Sequence, residues 1–111
     1  MVATRQEIEA IATDYVRSLK KHGIRVEEVI LFGSYARGDA RDNSDIDLAF
    51  ISDDFEKYNA VERQRLLAAC RNGFAPTEVV GYSRRMLREK ASSSPLAEAV
   101  LSKGQPLHTG T

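Results

Sequence analysis

Gly33-Ser34 and, ten residues further on, Asp45-Ile46-Asp47 are the residues of this chain best suited to chemistry. Gly33 closes an apolar run, Val26 to Phe32, and Ser34 to Arg37 reads as the first turn of a short helix. Glycine lets the backbone approach a ligand closely, and the N–H groups at a helix start point at an anion, so this bend suits a phosphate. On a strand, residues two apart project from one face. Asp45 and Asp47 therefore present paired carboxylates, with Ile46, Leu48 and Phe50 on the opposite face. Ionised carboxylates that close repel and raise each other's pKa, and a divalent cation seeking oxygen ligands removes that cost. Either feature alone reads as an ordinary turn or as a solvated edge strand. Together they place phosphate and metal side by side, for which nucleotidyl transfer is the leading chemistry.

Such a site calls for a third carboxylate to help hold metal and to receive the proton of an attacking hydroxyl. Glu78, near the start of a third apolar run, is the best-placed candidate if that run lies beside the second as a strand. The bland alternative for Glu78 is an exposed strand end. Arg37 and Arg41 can reach the same volume and grip phosphate oxygens in forked pairs, although each also reads as a solvated loop charge. Asp39, Asp42, Asp53 and Asp54 read as solvated turn residues, and His22 and His108 are assigned no role.

The elements that must position these groups are legible in outline. Thr4-Arg5-Gln6-Glu7 is a capping box that opens a helix with Ile8, Ile11, Ala12, Tyr15 and Leu19 on one stripe and Gly23 beyond its end. Val26 to Phe32 and Asp45 to Ile51 read as strands separated by a polar loop, Gly38 to Ser44, with Asp53 and Asp54 closing the second strand in a turn. A helix is expected from about Tyr58 to Asn72, a third strand over Thr77 to Tyr82, and a brief helix from Ser83 to about Lys90. A last helix runs from Pro95, with Ser94 as N-cap, to Lys103. This order gives an α/β or α+β domain with a small mixed sheet.

A chain of 111 residues fits one domain, 1–111, with a helical tail over about 92–111. Sixteen basic and sixteen acidic residues cancel, which argues against direct nucleic-acid binding as the main activity. No apolar window is long enough for a membrane span, and the polar start has no signal-peptide core, so a cytoplasmic protein is expected. One cysteine, Cys70, precludes an internal disulfide and reads as a buried helix residue.

Gly33-Ser34, ten residues, then Asp45-Ile46-Asp47 resembles the signature of the polymerase-beta-like nucleotidyltransferase superfamily. The longer string from Gly33-Ser34 through Ala36-Arg37-Gly38 to Ser44-Asp45-Ile46-Asp47-Leu48 most closely resembles the minimal nucleotidyltransferases, among them antitoxins paired with HEPN-type toxins. The resemblance implies a nucleotidyltransferase fold, with a mixed sheet flanked by helices, and two Mg²⁺ ions. It also implies ATP as substrate, its triphosphate lying over Gly33-Ser34. Asp45 and Asp47 would bind metal and act catalytically, and Glu78 would fill the third position. Arg37, Arg41 and Ser44 join Gly33 and Ser34 in the nucleotide-binding set. Many relatives carry Asp at the third position on a strand reading D-x-V, where this chain has Thr77-Glu78-Val79-Val80. By the same resemblance, AMP would pass to a tyrosine hydroxyl of a small helical HEPN-type toxin. Two other readings stay open: a non-catalytic binding module that masks its partner by contact, and a small-molecule adenylyltransferase acting as a homodimer.

Overall fold

The protein, seen in a computed structural model, is described over residues 2–109; Met1 and residues 110–111, the ends of the expected 1–111 unit, lie outside this range. Helix α1, Arg5–Lys21, starts as the capping box requires. The Glu7 N–H donates to Thr4 Oγ1 at 3.1 Å and the Thr4 N–H to Glu7 Oε1 at 2.8 Å. Its apolar stripe of Ile8, Ala12, Tyr15, Val16 and Leu19 is buried, and Gly23 leaves the helix end at φ +84°.

Strands β1 (Glu28–Phe32), β2 (Ile46–Ile51), β3 (Thr77–Tyr82) and β4 (Gln105–Pro106) form one sheet in the order β3-β2-β1-β4. β1 runs antiparallel to β2 and β4, and β2 parallel to β3, so the sheet is mixed as expected. Between β1 and β2 comes the short helix α2 (Ser34–Arg37); α3 (Ala60–Ala69) precedes β3, and α4 (Arg84–Lys90) and α5 (Pro95–Lys103) follow it. Leu31, Leu48 and Phe50 bury one face of the sheet with α1 and Leu67 of α3. Ile30, Ala49, Ile51 and Tyr82 bury the other with Leu87 of α4 and Ala97 and Val100 of α5. β2 is thus covered on both faces, and Asp47 is its one residue that is not fully buried. Each large apolar side chain so enclosed contributes about 1.5–3 kcal/mol, which makes β2 the rigid centre of the domain. No helix among the described residues is long and apolar enough to cross a membrane. Cys70 is buried, as its apolar neighbours imply.

Four boundaries differ from the sequence reading. β1 begins at Glu28 rather than Val26. β2 begins at Ile46 rather than Asp45. α3 is shorter at both ends, because Asn59 and Glu62 form a second capping box with two 2.8 Å bonds and Asp53–Lys57 forms a single 3-10 turn capped by Ser52. The tail after Lys103 turns back as β4, which pairs Gln105 and Pro106 with Leu31 and Ile30. Asp54 is more than a solvated turn residue: its Oδ2 accepts the Arg25 N–H at 2.9 Å, and that bond holds its carboxyl below the ordinary range.

A Cβ at Gly81 would lie 2.9–3.1 Å from three ring carbons of Phe55, which is itself fully enclosed. Gly81→Ala is therefore expected to lower stability by about 1–3 kcal/mol, read as a fall in denaturant midpoint. An unchanged midpoint would show that the ring has room to move.

Candidate active site

The ladder aligns the site's centre. Phe32 of β1 pairs with Asp47, and Asp47 pairs with Glu78 of β3. Side chains at paired positions share a face, so Asp47 and Glu78 stand together on the α4/α5 face, just past the end of its apolar cover. Glu78 and Asp47 are close enough to share a hydrogen bond. Asp45 lies one residue before the strand, exposed, and its charge also bears on Asp47. Burial pushes the Asp47 carboxyl up from its ordinary 3.8 to about 6, reinforced by the charge and hydrogen bond of Glu78 and by the charge of Asp45; Arg37 opposes the shift.

Gly33 occupies the other side of Asp47. It sits at φ +73°, a conformation that side-chain-bearing residues rarely adopt, and any Cβ there would collide with the Asp47 carboxylate. The chain then enters α2, where the Ala36 and Arg37 N–H groups both donate to the Gly33 carbonyl at 3.1 Å. Amides of a first helical turn lack intrahelical acceptors, so those of Ser34 and Tyr35 face the bend where an anion would sit. Ser34 is half-buried beside them.

Residues that sequence reasoning missed hold this bend in place. Tyr35 Oη accepts the Ala3 N–H at 3.1 Å. Gln105 donates to the Ala36 carbonyl at 2.9 Å while its Oε1 accepts from Arg5 at 3.2 Å. On the far side, the Ile46 N–H donates to the Pro76 carbonyl at 2.9 Å, and Tyr15 Oη and Thr77 Oγ1 are bonded at 3.0 Å, which fixes the chain that leads into Glu78. These partners are far apart in sequence, and no local pattern announces them.

The remaining candidates are placed less centrally. Arg37 is exposed, ion-pairs with Asp39 at 3.4 Å, and is near enough to act on Asp47. The Ser44 hydroxyl accepts the Arg41 N–H at 2.8 Å, and the Ser44 N–H donates to the Arg41 carbonyl at 3.0 Å. Ser44 thereby clips the loop before Asp45, and the Arg41 side chain is left exposed. The arrangement brings together Gly33, Ser34, Arg37, Asp45, Asp47 and Glu78, and leaves Arg41 on the rim.

Among the described residues, no three His, Cys, Asp or Glu side chains are gathered tightly enough to hold one ion as they stand. The donor set nevertheless fits a hard divalent cation. It is all carboxylate oxygen, and its central member carries a raised pKa that a positive ion would relieve. Asp47 and Glu78 would hold such an ion from two strands, with Asp45 completing the set from the loop.

The family model described as the nucleotidyltransferase domain matches residues 12–90. A Methanocaldococcus jannaschii protein with a provisional protein-adenylyltransferase name is 46% identical over 50 residues, covering 43% of this chain and 50% of that protein. Protein adenylyltransferase MntA of Thermococcus cleftensis is 41% identical over 54 residues, covering 49% of this chain and 50% of that one. The matched stretch thus spans about half the length of these curated relatives. A crystal structure of a toxin–antitoxin with AMP-PNP superposes with a TM-score of 0.51 at 26% identity, covering 88% of this chain and 73% of the other.

Folding holds Asp47 in surroundings that favour its protonated form, so the folded state binds the proton more tightly than the unfolded chain. That contribution to stability is complete below about pH 4 and is lost as pH rises through about 6. Asp47→Asn is accordingly expected to raise the melting temperature at pH 7 by about 2–5 °C, a modest figure because the group is partly solvated. The advantage should shrink as pH falls from 7 towards 4. Equal or lower melting at pH 7 would show that the carboxylate is not strained.

Proposed function

The chain belongs to the nucleotidyltransferase domain family, and on that premise we propose that it transfers AMP from ATP to a hydroxyl acceptor with the help of Mg²⁺. The reading names a tyrosine of a small helical HEPN-type partner toxin as the acceptor, with the chain as antitoxin. Two of the comparisons support it: a relative named as a protein adenylyltransferase, and a toxin–antitoxin solved with a nucleotide analogue. The observation that carries it is the alignment of Phe32, Asp47 and Glu78 across three adjacent strands, with Gly33, just past Phe32, packed against Asp47, so that the glycine bend lies beside a carboxylate pair.

The β- and γ-phosphates would rest on the Gly33-Ser34 bend, with Arg37 at their flank. Bound Mg²⁺ would neutralise Asp45, Asp47 and Glu78 and polarise the α-phosphate. The acceptor oxygen then bonds to the α-phosphorus as the bond from that phosphorus to the bridging oxygen breaks. Pyrophosphate leaves with the electron pair, and the acceptor's proton passes to the Glu78 carboxylate. A single glutamate in place of aspartate keeps this chemistry, since the longer side chain still meets Asp47.

Incubation of a toxin partner with the chain, ATP and Mg²⁺ should add the mass of one AMP, and EDTA should prevent it. Protection of the partner without any gain in mass would replace catalysis by masking through contact. Asp45→Asn and Asp47→Asn are each expected to cut transfer by about 10²-fold or more, because each removes a charged ligand. Glu78→Gln should slow transfer while leaving ATP affinity within about twofold, as expected for loss of a proton acceptor rather than of binding. Near-normal transfer by an Asp47→Asn protein would remove the metal assignment.

A further inference from the structure

β3 is an edge strand whose outer side is open. Among the described residues it pairs with β2 only, in parallel register from Ile46–Thr77 to Ile51–Tyr82. The Pro76 and Tyr82 carbonyls accept from Ile46 and Ser52 of the β2 side, each at 2.9 Å. In a parallel ladder alternate residues turn both backbone groups to the same neighbour, so those of Glu78, Val80 and Tyr82 face β2. The N–H and C=O groups of Thr77, Val79 and Gly81 consequently face outwards. Proteins usually blunt such an edge with proline, a bulge or a covering element. Among the described residues, Gln64 reaches it: Gln64 Nε2 donates to the Val79 carbonyl at 3.4 Å.

A cleft of about 420 Å³ follows this edge, lined by Gln64, Ala68 and Arg71 on the α3 side, Leu96 on the α5 side, and Val80 and Glu78 of the strand itself. Its surroundings are unusually apolar for solvent-facing surface. Phe74 in the loop before β3 is 101% exposed, Val61 on α3 60% and Leu96 38%. Val61 also joins Gln64 and Ala68 in a second, shallow depression continuous with the cleft.

The sheet order says which reactant meets this edge. The bend that would hold pyrophosphate follows β1, Asp47 stands on β2 and Glu78 on β3. In phosphoryl transfer the entering and leaving oxygens lie roughly in line, so an acceptor must approach from the side opposite the bend. That side is β3 and its cleft. Resting on the nucleotidyl-transfer reading above, we infer that the acceptor is a protein whose extended segment docks on the open edge of β3 by strand addition, presenting its hydroxyl to Glu78. Unpaired backbone donors and acceptors beside an apolar cleft recognise a polypeptide, not a sugar or a nucleic acid. Arg71, at the rim, holds the Ala75 carbonyl at 3.1 Å and keeps further donors for an acidic residue flanking the hydroxyl.

The test compares two probes carrying the same phenol: a poly(Glu,Tyr) copolymer, which can pair along the edge, and N-acetyltyrosinamide, which cannot. The copolymer should be the better acceptor by about tenfold or more in kcat/KM per tyrosine. Val79→Pro removes one outward N–H without touching the β2 ladder, and Ala68→Arg fills the cleft from an exposed helix position. Each should erase the preference while leaving ATP affinity and transfer to N-acetyltyrosinamide within about twofold. Persistence of the preference in the folded Ala68→Arg protein, or its absence in the wild type, would overturn the docking surface. A dimer that Val79→Pro dissolves would assign the edge to a second copy instead and overturn it equally. AMP transfer to a small-molecule hydroxyl but to neither probe would sink strand addition and spare the catalytic reading. Transfer that survives Asp47→Asn would sink the catalytic reading itself.

Discussion

Everything in this domain is arranged around one carboxylate held where it is electrostatically uncomfortable. Asp47 projects from the central strand with a glycine pressed against one side and Glu78 against the other. Burial and two neighbouring carboxylates penalise its charge, and Arg37 offsets only part of that penalty. A protein selected for stability alone would place an apolar residue at this position, because the rest of β2 is enclosed on both faces. Keeping an acid there makes sense when a cation completes the site, since paired carboxylates are stable neighbours only when their charge is shared with one. Local strain of this kind points to function, and the rest of the fold has to resist it.

That resistance is visible in where the long-range bonds go. β2 is sandwiched between α1 and Leu67 of α3 on one face and Leu87 of α4 with Ala97 and Val100 of α5 on the other, so Asp47 cannot withdraw by tilting its strand. The glycine bend is fastened from two directions, by Tyr35 to the segment before α1 and by Gln105 to the Ala36 carbonyl. Arg5 then ties α1 to β4 through Gln105 and the Pro106 carbonyl. Thr77, next to Glu78, is held by Tyr15 from α1. One helix thus braces both ends of the carboxylate row, which keeps the bend and the third acid in a fixed spatial relation.

Much of this could be read from the sequence because the decisive signals are local. The Thr4–Glu7 capping box, the Ser94-Pro95 helix start and the alternation through Ile46-Asp47-Leu48 each specify their own geometry within a few residues. Glu78 was legible by a different route: its partnership with Asp47 needed only that the third strand lie beside the second, in register. What escaped were features with no local pattern. Asn59 lies among residues that extend a helix equally well in either direction, so its cap was overrun. β4 is two residues long and contains a proline, and it is a strand only because β1 offers it a partner. Ser44, which the motif places in the nucleotide-binding set, also has its hydroxyl accepting the loop's own Arg41 N–H, a bond no local pattern announces. The proximity of Gln105 to Ala36 follows from the closed fold alone.

The two margins of the sheet are treated differently, and the difference bears on how the proposed reaction would admit its acceptor. On the β1 side, β4 and the Arg5–Gln105 bonds cover the backbone and lock the bend. On the β3 side, a six-residue strand rich in β-branched and aromatic residues keeps its outward groups nearly unprotected. An open edge carries an aggregation risk that folds ordinarily suppress. Here suppression would come at the wrong place, because a strand or helix laid along β3 would also close the approach to Glu78. On the proposed reading, the leaving side can be rigid and sealed, since it would handle one invariant group, the polyphosphate. The entering side would have to admit a bulky reactant and position it. Backbone hydrogen bonds along an existing strand would provide that positioning.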